Sequence, residues 1–188
     1  MKSVIVYLVL NLVLINFVYS QETRIFWGEK ELDSSDFRAL PKNVLIGGKD
    51  TVYALMKTYI KVNQEFLSKD SLKIEVLAIM YPYESWCINC ESNVMRHEQI
   101  HFDITELVAR KLRKKLQSLK LNKFSFNEEV KKYYELYIDE LILIQENYDY
   151  ATKGGVKAEI QRNWERQILL QLNEYDGFKL KYIYMKLN

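Results

Sequence analysis

The sequence predicts an α+β domain in which a small antiparallel sheet precedes a helical hairpin or bundle. Residues 51–62 and 72–80 are rich in β-branched and aromatic residues with partial alternation, which is typical of strands. After residue 90 the apolar residues recur at helical spacing instead, and no proline interrupts them. Strands that come before helices, rather than alternating with them, indicate the α+β class.

The first half of the chain holds most of the expected strands. Residues 24–27 predict a short edge strand, and residues 33–37 predict a turn or a short helix. The polar residues 63–71 are expected to connect the two longer strands as a hairpin. A terminal strand is expected over residues 180–185, so the sheet recruits one strand from the end of the chain.

Three helices are predicted in the second half. Residues 92–119 carry apolar side chains at the spacing of one helical face. The sequence Ser-Phe-Asn-Glu at residues 125–128 is a capping box, so a second helix is expected to begin there and to run to about Glu146. A Gly-Gly pair at residues 154–155 breaks the chain, and residues 157–172 form the third helix with an apolar stripe.

The N-terminal residues 1–20 have the pattern of a secretory signal peptide. A basic Lys2 precedes an apolar run, and the small residue Ser20 precedes a polar stretch. An uncleaved anchor is disfavoured, because the run is shorter than the roughly 20 residues that span a membrane. No later stretch is apolar enough to span one. We therefore expect a single domain, residues 21–188, that is secreted or resides in the periplasm or cell envelope.

The charge balance argues against nucleic acid as a partner. Lysine and arginine number 27 and the acidic residues 25, which leaves a formal net charge of +2. Residues 111–120 are locally basic, but leucines alternate with the charges. This pattern predicts an amphipathic helix whose basic face, including Arg113, lies in solvent.

The segment from His97 to His101 reads His-Glu-Gln-Ile-His and contains the only two histidines of the chain. On a helix, residues four apart lie on one face, so both imidazoles can bind one metal ion. Glu98 follows the first histidine and is placed to act as a general base toward a water at the metal. The pattern predicts a zinc site that supports hydrolysis, against the alternative of two histidines on a solvated helix face.

Cys87 and Cys90 form a Cys-x-x-Cys pair between an expected strand and the metal helix. A thioredoxin-like redox role would require a later proline and a βαβ pattern, and the sequence has neither. A closed Cys₂His₂ zinc site with His97 and His101 is chemically allowed, although its spacer is short. We favour a disulfide between the two cysteines, because the expected export favours oxidised thiols.

A third metal ligand has to come from another element. If the first two helices form an antiparallel hairpin about a turn near residue 122, the histidines lie level with residues 144–148. Asp149 then falls beside them, with Glu146 as its substitute. Glu135 belongs to a Glu-x-x-x-Asp pattern like that of gluzincin-type peptidases, but it would lie roughly 14 Å further along the hairpin. Glu106 points away from the histidines on their own helix.

The eleven residues from His97 to Leu107, His-Glu-Gln-Ile-His-Phe-Asp-Ile-Thr-Glu-Leu, are followed by Ala-Arg-Lys-Leu-Arg at residues 109–113. This run resembles the signature of the DUF922 family, bacterial envelope or secreted proteins regarded as zinc-dependent peptidases. The resemblance extends over nearly all of the chain from Gln21 onward. Further matches are residues 35–37, Ser85, Trp86, Tyr148, Asp149, Thr152, Gln161 and Trp164.

One position departs from the pattern of that family. A histidine-glycine pair is expected after the Tyr-Asp-x-x-Thr segment, but the chain reads Lys-Gly-Gly at residues 153–155, so Gly154 stands where the histidine would be. If that histidine is the third ligand in the family, this protein either uses Asp149 or Glu146, binds zinc weakly, or is a degenerate relative.

These patterns predict a zinc-dependent metallohydrolase that acts on a peptide or protein. His97 and His101 would hold the metal, Glu98 would act as the general base, and Tyr148 is a candidate hydrogen-bond donor. The alternative is a non-catalytic envelope or binding protein that keeps the helical hairpin with a degenerate or structural zinc site.

Overall fold

The computed structural model describes residues 24–41 and 53–188. The expected signal peptide, residues 1–20, lies outside the described residues. Within them the chain has the predicted α+β class, with antiparallel sheets followed by three helices and a last strand that returns to the larger sheet. No described helix is long and apolar enough to cross a membrane.

In the described part of the chain, six strands build two antiparallel sheets. In chain order they are β1 (Ile25–Phe26), β2 (Ala54–Leu55), β3 (Thr58–Ser68), β4 (Ser71–Met80), β5 (Trp86–Cys87) and β6 (Tyr182–Lys186). β4 is the centre of the larger sheet, where it pairs with β3 along its length, with β1 at its end and with β6 at its start. β2 and β5 pair with each other in a small second sheet.

β4 is the most deeply buried strand. Its first half alternates between buried and partly buried residues, as expected where one face of a sheet meets solvent. From Val76 to Met80 every residue is buried, so both faces are covered there. The strand predicted over residues 72–80 is therefore confirmed, and it anchors the sheet under the helices.

The predicted connection over residues 63–71 is wrong in extent. β3 continues to Ser68, and only two residues separate it from β4. Its polar residues still pair with β4, because β3 is an edge strand whose outer face lies in solvent. Cross-strand contacts support them: Nδ2 of Asn63 donates to Glu75 at 2.6 Å, and Lys73 pairs with Glu65 at 3.1 Å.

The strand predicted over residues 51–62 is divided in the structure. Residues 51–52 lie outside the described part, Ala54 and Leu55 pair with β5, and β3 begins only at Thr58. The chain thus leaves one sheet and enters the other between Leu55 and Thr58. This change of pairing partner depends on tertiary packing, so the strand propensity of the residues does not predict it.

Three helices follow among residues 53–188: α1 (Ser92–Gln117), α2 (Phe126–Thr152) and α3 (Ala158–Glu174). α1 is the central element, because it contacts β3 and β4 of the sheet as well as α2 and α3. More than half of its residues are buried, including polar ones. α1, α3 and β6 lie within two residues of their predicted bounds.

The second helix differs from its prediction at both ends. Ser125 makes no capping hydrogen bond through its side chain, and its hydroxyl donates to Glu129 at 3.0 Å instead. At the other end α2 continues to Thr152, well past Glu146, and closes on Lys153 in the left-handed conformation. The extension places Asp149 on a helix, so its side chain has a defined direction.

The basic segment of α1 is only partly solvated, which corrects the sequence interpretation for one residue. Arg113 is 1% exposed and forms hydrogen bonds from Nη1 and Nη2 to the buried carboxylate of Glu106. Its guanidinium also donates to the backbone carbonyl of Val76 in β4, at 2.7 Å from Nη2. The buried arginine thus ties α1 to the centre of the sheet, with all its charge paired.

Candidate metal centre

The two histidines of α1 lie one turn apart and face the same side. His97 and His101 are 5% and 8% exposed, and their Nε2 atoms lie 3.1 Å apart. Their rings are nearly perpendicular, with centroids separated by 4.8 Å. The helical spacing therefore brings both nitrogens to one point, as the sequence predicted.

α2 supplies an oxygen at the same point. Oδ1 of Asp149 lies 2.9 Å from Nε2 of His97 and 2.9 Å from Nε2 of His101. The antiparallel register predicted Asp149 at this level, and the structure brings it there, whereas Glu146 is exposed and outside the group. The two histidines and the aspartate form a group that could hold a metal ion.

The geometry of the three atoms fits a divalent cation. In a tetrahedral site with ligands about 2.0–2.1 Å from the metal, the ligand atoms are roughly 3.3 Å apart. The three separations of 2.9, 2.9 and 3.1 Å are only a few tenths of an ångström shorter. The side chain of Asp149 is 53% exposed, so the group meets solvent on that side and leaves room for a further ligand.

Glu98 is not one of the three residues of the group. Glu98 is 4% exposed, and its carboxylate accepts a hydrogen bond from the backbone N–H of Met56, in the segment that connects β2 to β3. Burial raises the pKa of Glu98, although the positive charges of His101 and His97 oppose that shift. A carboxylate with a raised pKa is a better proton acceptor near neutral pH.

Asp149 and His101 adjust each other's protonation. Burial disfavours the charged form of Asp149, but hydrogen bonds with His101 and His97 hold its pKa well below its usual range. Burial likewise lowers the pKa of His101, yet the hydrogen bond with Asp149 and the charge of Glu98 outweigh it and leave that pKa raised. Without a metal, the proton of the hydrogen bond between His101 and Asp149 is therefore held by the imidazole of His101 rather than by the carboxylate of Asp149.

Tyr148 forms the wall behind the histidines. Its ring stacks on His97 with centroids 4.6 Å apart and an interplanar angle of 19°, and its edge meets His101. Tyr148 is 0% exposed, and its hydroxyl has no hydrogen-bond partner among the described residues. Burial raises the pKa of its hydroxyl. The structure therefore gives Tyr148 a packing role at the rings, away from the solvent side where a donor to substrate would act.

Sequence reasoning missed a group of hydrogen-bonded polar side chains beside His101. Nε2 of Gln145 donates to the hydroxyl of Thr105 at 3.2 Å, and the hydroxyls of Thr58 and Thr105 lie 2.8 Å apart. Thr105 in turn donates to the backbone carbonyl of His101 at 2.9 Å. Gln145 could have been suspected, because it lies four residues before Asp149 on one helical face. Thr58 gave no signal, since only the sheet packing brings β3 to α1.

The glycine pair after α2 has two different surroundings. Gly154, the position expected to be histidine in the DUF922 pattern, has φ +59°, and a Cβ there would meet nothing within 4 Å. Gly155 has φ +85°, and a Cβ there would lie 3.2 Å from Cγ of His97. Asp149 occupies the third position of the group, so the group does not need a side chain at residue 154.

The remaining candidate ligands lie elsewhere. Cys87 and Cys90 form the predicted disulfide just before α1, and the described residues contain no free cysteine, which removes the Cys₂His₂ alternative. Glu135 is exposed, and its Oε1 lies 3.7 Å from Nζ of Lys131. Glu106 points away from the histidines, as its direction on α1 predicted, and forms ion pairs with the buried Arg110 and Arg113.

Comparison with known proteins returns no relative of this chain: no family model, no curated protein and no solved structure matches it.

Proposed function

We propose that this protein is a zinc-dependent hydrolase of peptides or proteins that acts outside the cytoplasm. The observation that carries the proposal is the convergence of His97, His101 and Asp149 on one partly open point, with which the buried carboxylate of Glu98 interacts electrostatically. Two imidazoles and one carboxylate form a donor set that zinc commonly takes in hydrolases, in which a fourth position stays open.

The residues of the site would have two roles, metal binding and proton transfer. When bound, zinc would supply a Lewis acid that acidifies water and polarises a carbonyl group. His97, His101 and Asp149 would hold it. Glu98 would accept the proton of the attacking water and deliver it to the leaving amine, a task that suits its raised pKa.

The substrate and the location are supported by sequence features. The His-Glu-x-x-His pattern and the resemblance to the DUF922 family both favour peptide hydrolysis, and we infer membership of that family from these residues alone. The signal-like residues 1–20 and the disulfide between Cys87 and Cys90 support export to an oxidising compartment.

The test separates metal binding from chemistry. The exported protein is analysed for zinc and assayed on an unstructured protein substrate, before and after treatment with a chelator and after zinc is restored. Glu98→Gln should keep the metal and lower kcat by about 10² to 10⁴-fold, because glutamine cannot accept the proton. Glu135→Gln is the matched control, since Glu135 is exposed on α2 outside the group, and it should leave both zinc and turnover unchanged.

Two results would contradict the proposal. Hydrolysis that survives Glu98→Gln would remove the general-base mechanism. A wild-type protein that holds zinc but cleaves none of the substrates would instead support the alternative of a non-catalytic envelope protein with a structural or degenerate metal site. In that case Glu98 would have no chemical role, and its burial would be structural.

A further inference from the structure

Two buried polar atoms of complementary chemistry belong to side chains that both come close to Gly155. Nδ1 of His97 and Oε1 of Gln161 are both buried, and neither has a hydrogen-bond partner among the described residues. A Cβ on Gly155 would lie 3.2 Å from Oε1 of Gln161 and 3.2 Å from Cγ of His97. The amide oxygen and the imidazole are therefore close neighbours, at most twice that distance apart.

The amide of Gln161 can take only one orientation. Its Nε2 donates to the backbone carbonyl of Asn93 at 3.1 Å and to the side-chain oxygen of Asn93 at 3.2 Å. Both atoms are acceptors, so the nitrogen end must face them. The oxygen end then faces away from Asn93 and lies near Gly155, whose Cβ position is equally close to His97. Asn93 is itself held, because its Nδ2 donates to the carbonyl of Gly155 at 2.8 Å.

A histidine that binds a metal through Nε2 is neutral and carries its proton on Nδ1. That N–H needs an acceptor, and in metal sites the acceptor sets the tautomer and the orientation of the ring. In His97, Nε2 faces the metal group, so Nδ1 is the atom that would carry the proton. An unpaired buried donor and an unpaired buried acceptor both cost free energy, which pairing would recover.

We propose that Gln161 is the positioning residue of His97: its amide oxygen accepts the Nδ1–H of His97 when Nε2 binds the metal. Asn93 fixes the amide, and Gly155, which has no Cβ, leaves the space that such a hydrogen bond needs. α3 thus takes part in the metal site without supplying a ligand. This inference rests on the proposed metal site, but it does not depend on hydrolysis.

The experiment measures metal affinity and the state of the imidazole. Co²⁺ is titrated into the wild type and into three variants, its visible absorption reports binding, and Zn²⁺ is measured by competition. Gln161→Met removes both ends of the amide at similar length and should weaken binding about 10- to 100-fold. Asn93→Ala removes the side-chain acceptor of the amide nitrogen but leaves the amide oxygen and the backbone carbonyl that holds the amide, so it should retain most of the affinity.

Leu172→Ala is the control for a merely structural loss, because Leu172 is a buried residue of α3 away from the histidines. It should lower the thermal midpoint and leave the Co²⁺ affinity unchanged. A second measurement needs no variant. The chain has only two histidines, so the imidazole ¹⁵N signals of the zinc-loaded wild type are readily assigned, and His97 should show the Nδ1–H tautomer with a proton protected from exchange.

The outcomes are distinguishable. Equal losses in Gln161→Met and Asn93→Ala would show that the bonds to Asn93 matter and the oxygen does not, which overturns the proposal. Unchanged affinity in Gln161→Met, or a His97 proton that exchanges freely, overturns it as well and leaves the metal site standing. A wild type that binds neither Co²⁺ nor Zn²⁺ removes the metal site, and this proposal with it.

Discussion

The glycine pair at the end of α2 offers a matched perturbation of the metal centre. Gly154 and Gly155 both have positive φ angles, of +59° and +85°, so alanine at either position is strained in its backbone. They differ in what the new methyl group meets. At Gly155 it would contact His97 and Gln161, whereas at Gly154 it would meet nothing within 4 Å.

The expected magnitudes follow from these contacts. A left-handed backbone conformation costs a residue other than glycine about 1–2 kcal/mol, which is the whole effect expected for Gly154→Ala. Gly155→Ala adds contacts of 3.2, 3.2 and 3.3 Å with Gln161 and His97, a few tenths of an ångström below ordinary carbon separations. Overpacking of this kind costs about 1–3 kcal/mol more.

The extra cost is expected to appear in metal binding. His97 can relieve the crowding only by moving its ring, and metal binding must then restore the position. Zinc affinity should therefore fall by about 5- to 150-fold in Gly155→Ala, which corresponds to 1–3 kcal/mol, and should stay unchanged in Gly154→Ala. Thermal unfolding of the metal-free variants measures the backbone cost, at about 2–4 °C for each kcal/mol.

The comparison refutes the reasoning under two conditions. If both alanine variants lose the same zinc affinity, backbone strain alone disturbs the site, and the contact of Gly155 with His97 is irrelevant. If Gly155→Ala unfolds at a lower temperature but binds zinc as the wild type does, the crowding relaxes toward Gln161, and the ring of His97 is not displaced.

Three further predictions concern the same centre. Asp149→Asn should weaken zinc retention measured by elemental analysis after dialysis, and Glu146→Gln should not, because only Asp149 lies in the group; equal retention in both would exclude Asp149 as a ligand. Zinc affinity should fall as pH decreases through the raised pKa of His101, because the proton and the metal compete for its nitrogen. The fall should be about tenfold per pH unit for one displaced proton, and a flat pH profile would contradict this. Replacing Cys87 and Cys90 by alanine should lower the free energy of unfolding by about 2 kcal/mol, as expected for so short a loop, and leave zinc content unchanged; a loss of zinc on mutation would return the cysteines to the metal site.

Much of the fold and of the site was predictable because helical spacing is a local property. His97 and His101 must share a face on any helix, and the rise of 1.5 Å per residue placed Asp149 beside them once the hairpin turn was located. The α+β class followed from the same periodicities. The disulfide followed from the expected compartment and from the short spacing of the two cysteines.

The errors fall where distant segments decide the outcome. Residues 63–68 looked like a polar connection, but the pairing of β3 with β4 keeps them in a strand whose side chains reach solvent. Arg113 looked like part of a solvated basic face, but Glu106 and the carbonyl of Val76 satisfy its charge in the core. In both cases the partner is supplied by tertiary packing, and composition alone does not reveal it.

The sequence by itself determined the class of fold, the two histidines on one helical face and the adjacent glutamate, and it reduced the third ligand to Asp149 or Glu146. Only the tertiary structure decided what surrounds them. Gln161 lies 64 residues beyond His97, and nothing in the spacing connects the two. Their proximity depends on how α3 packs against α1 and on a glycine that leaves room for both side chains, and such packing is a property of the whole fold.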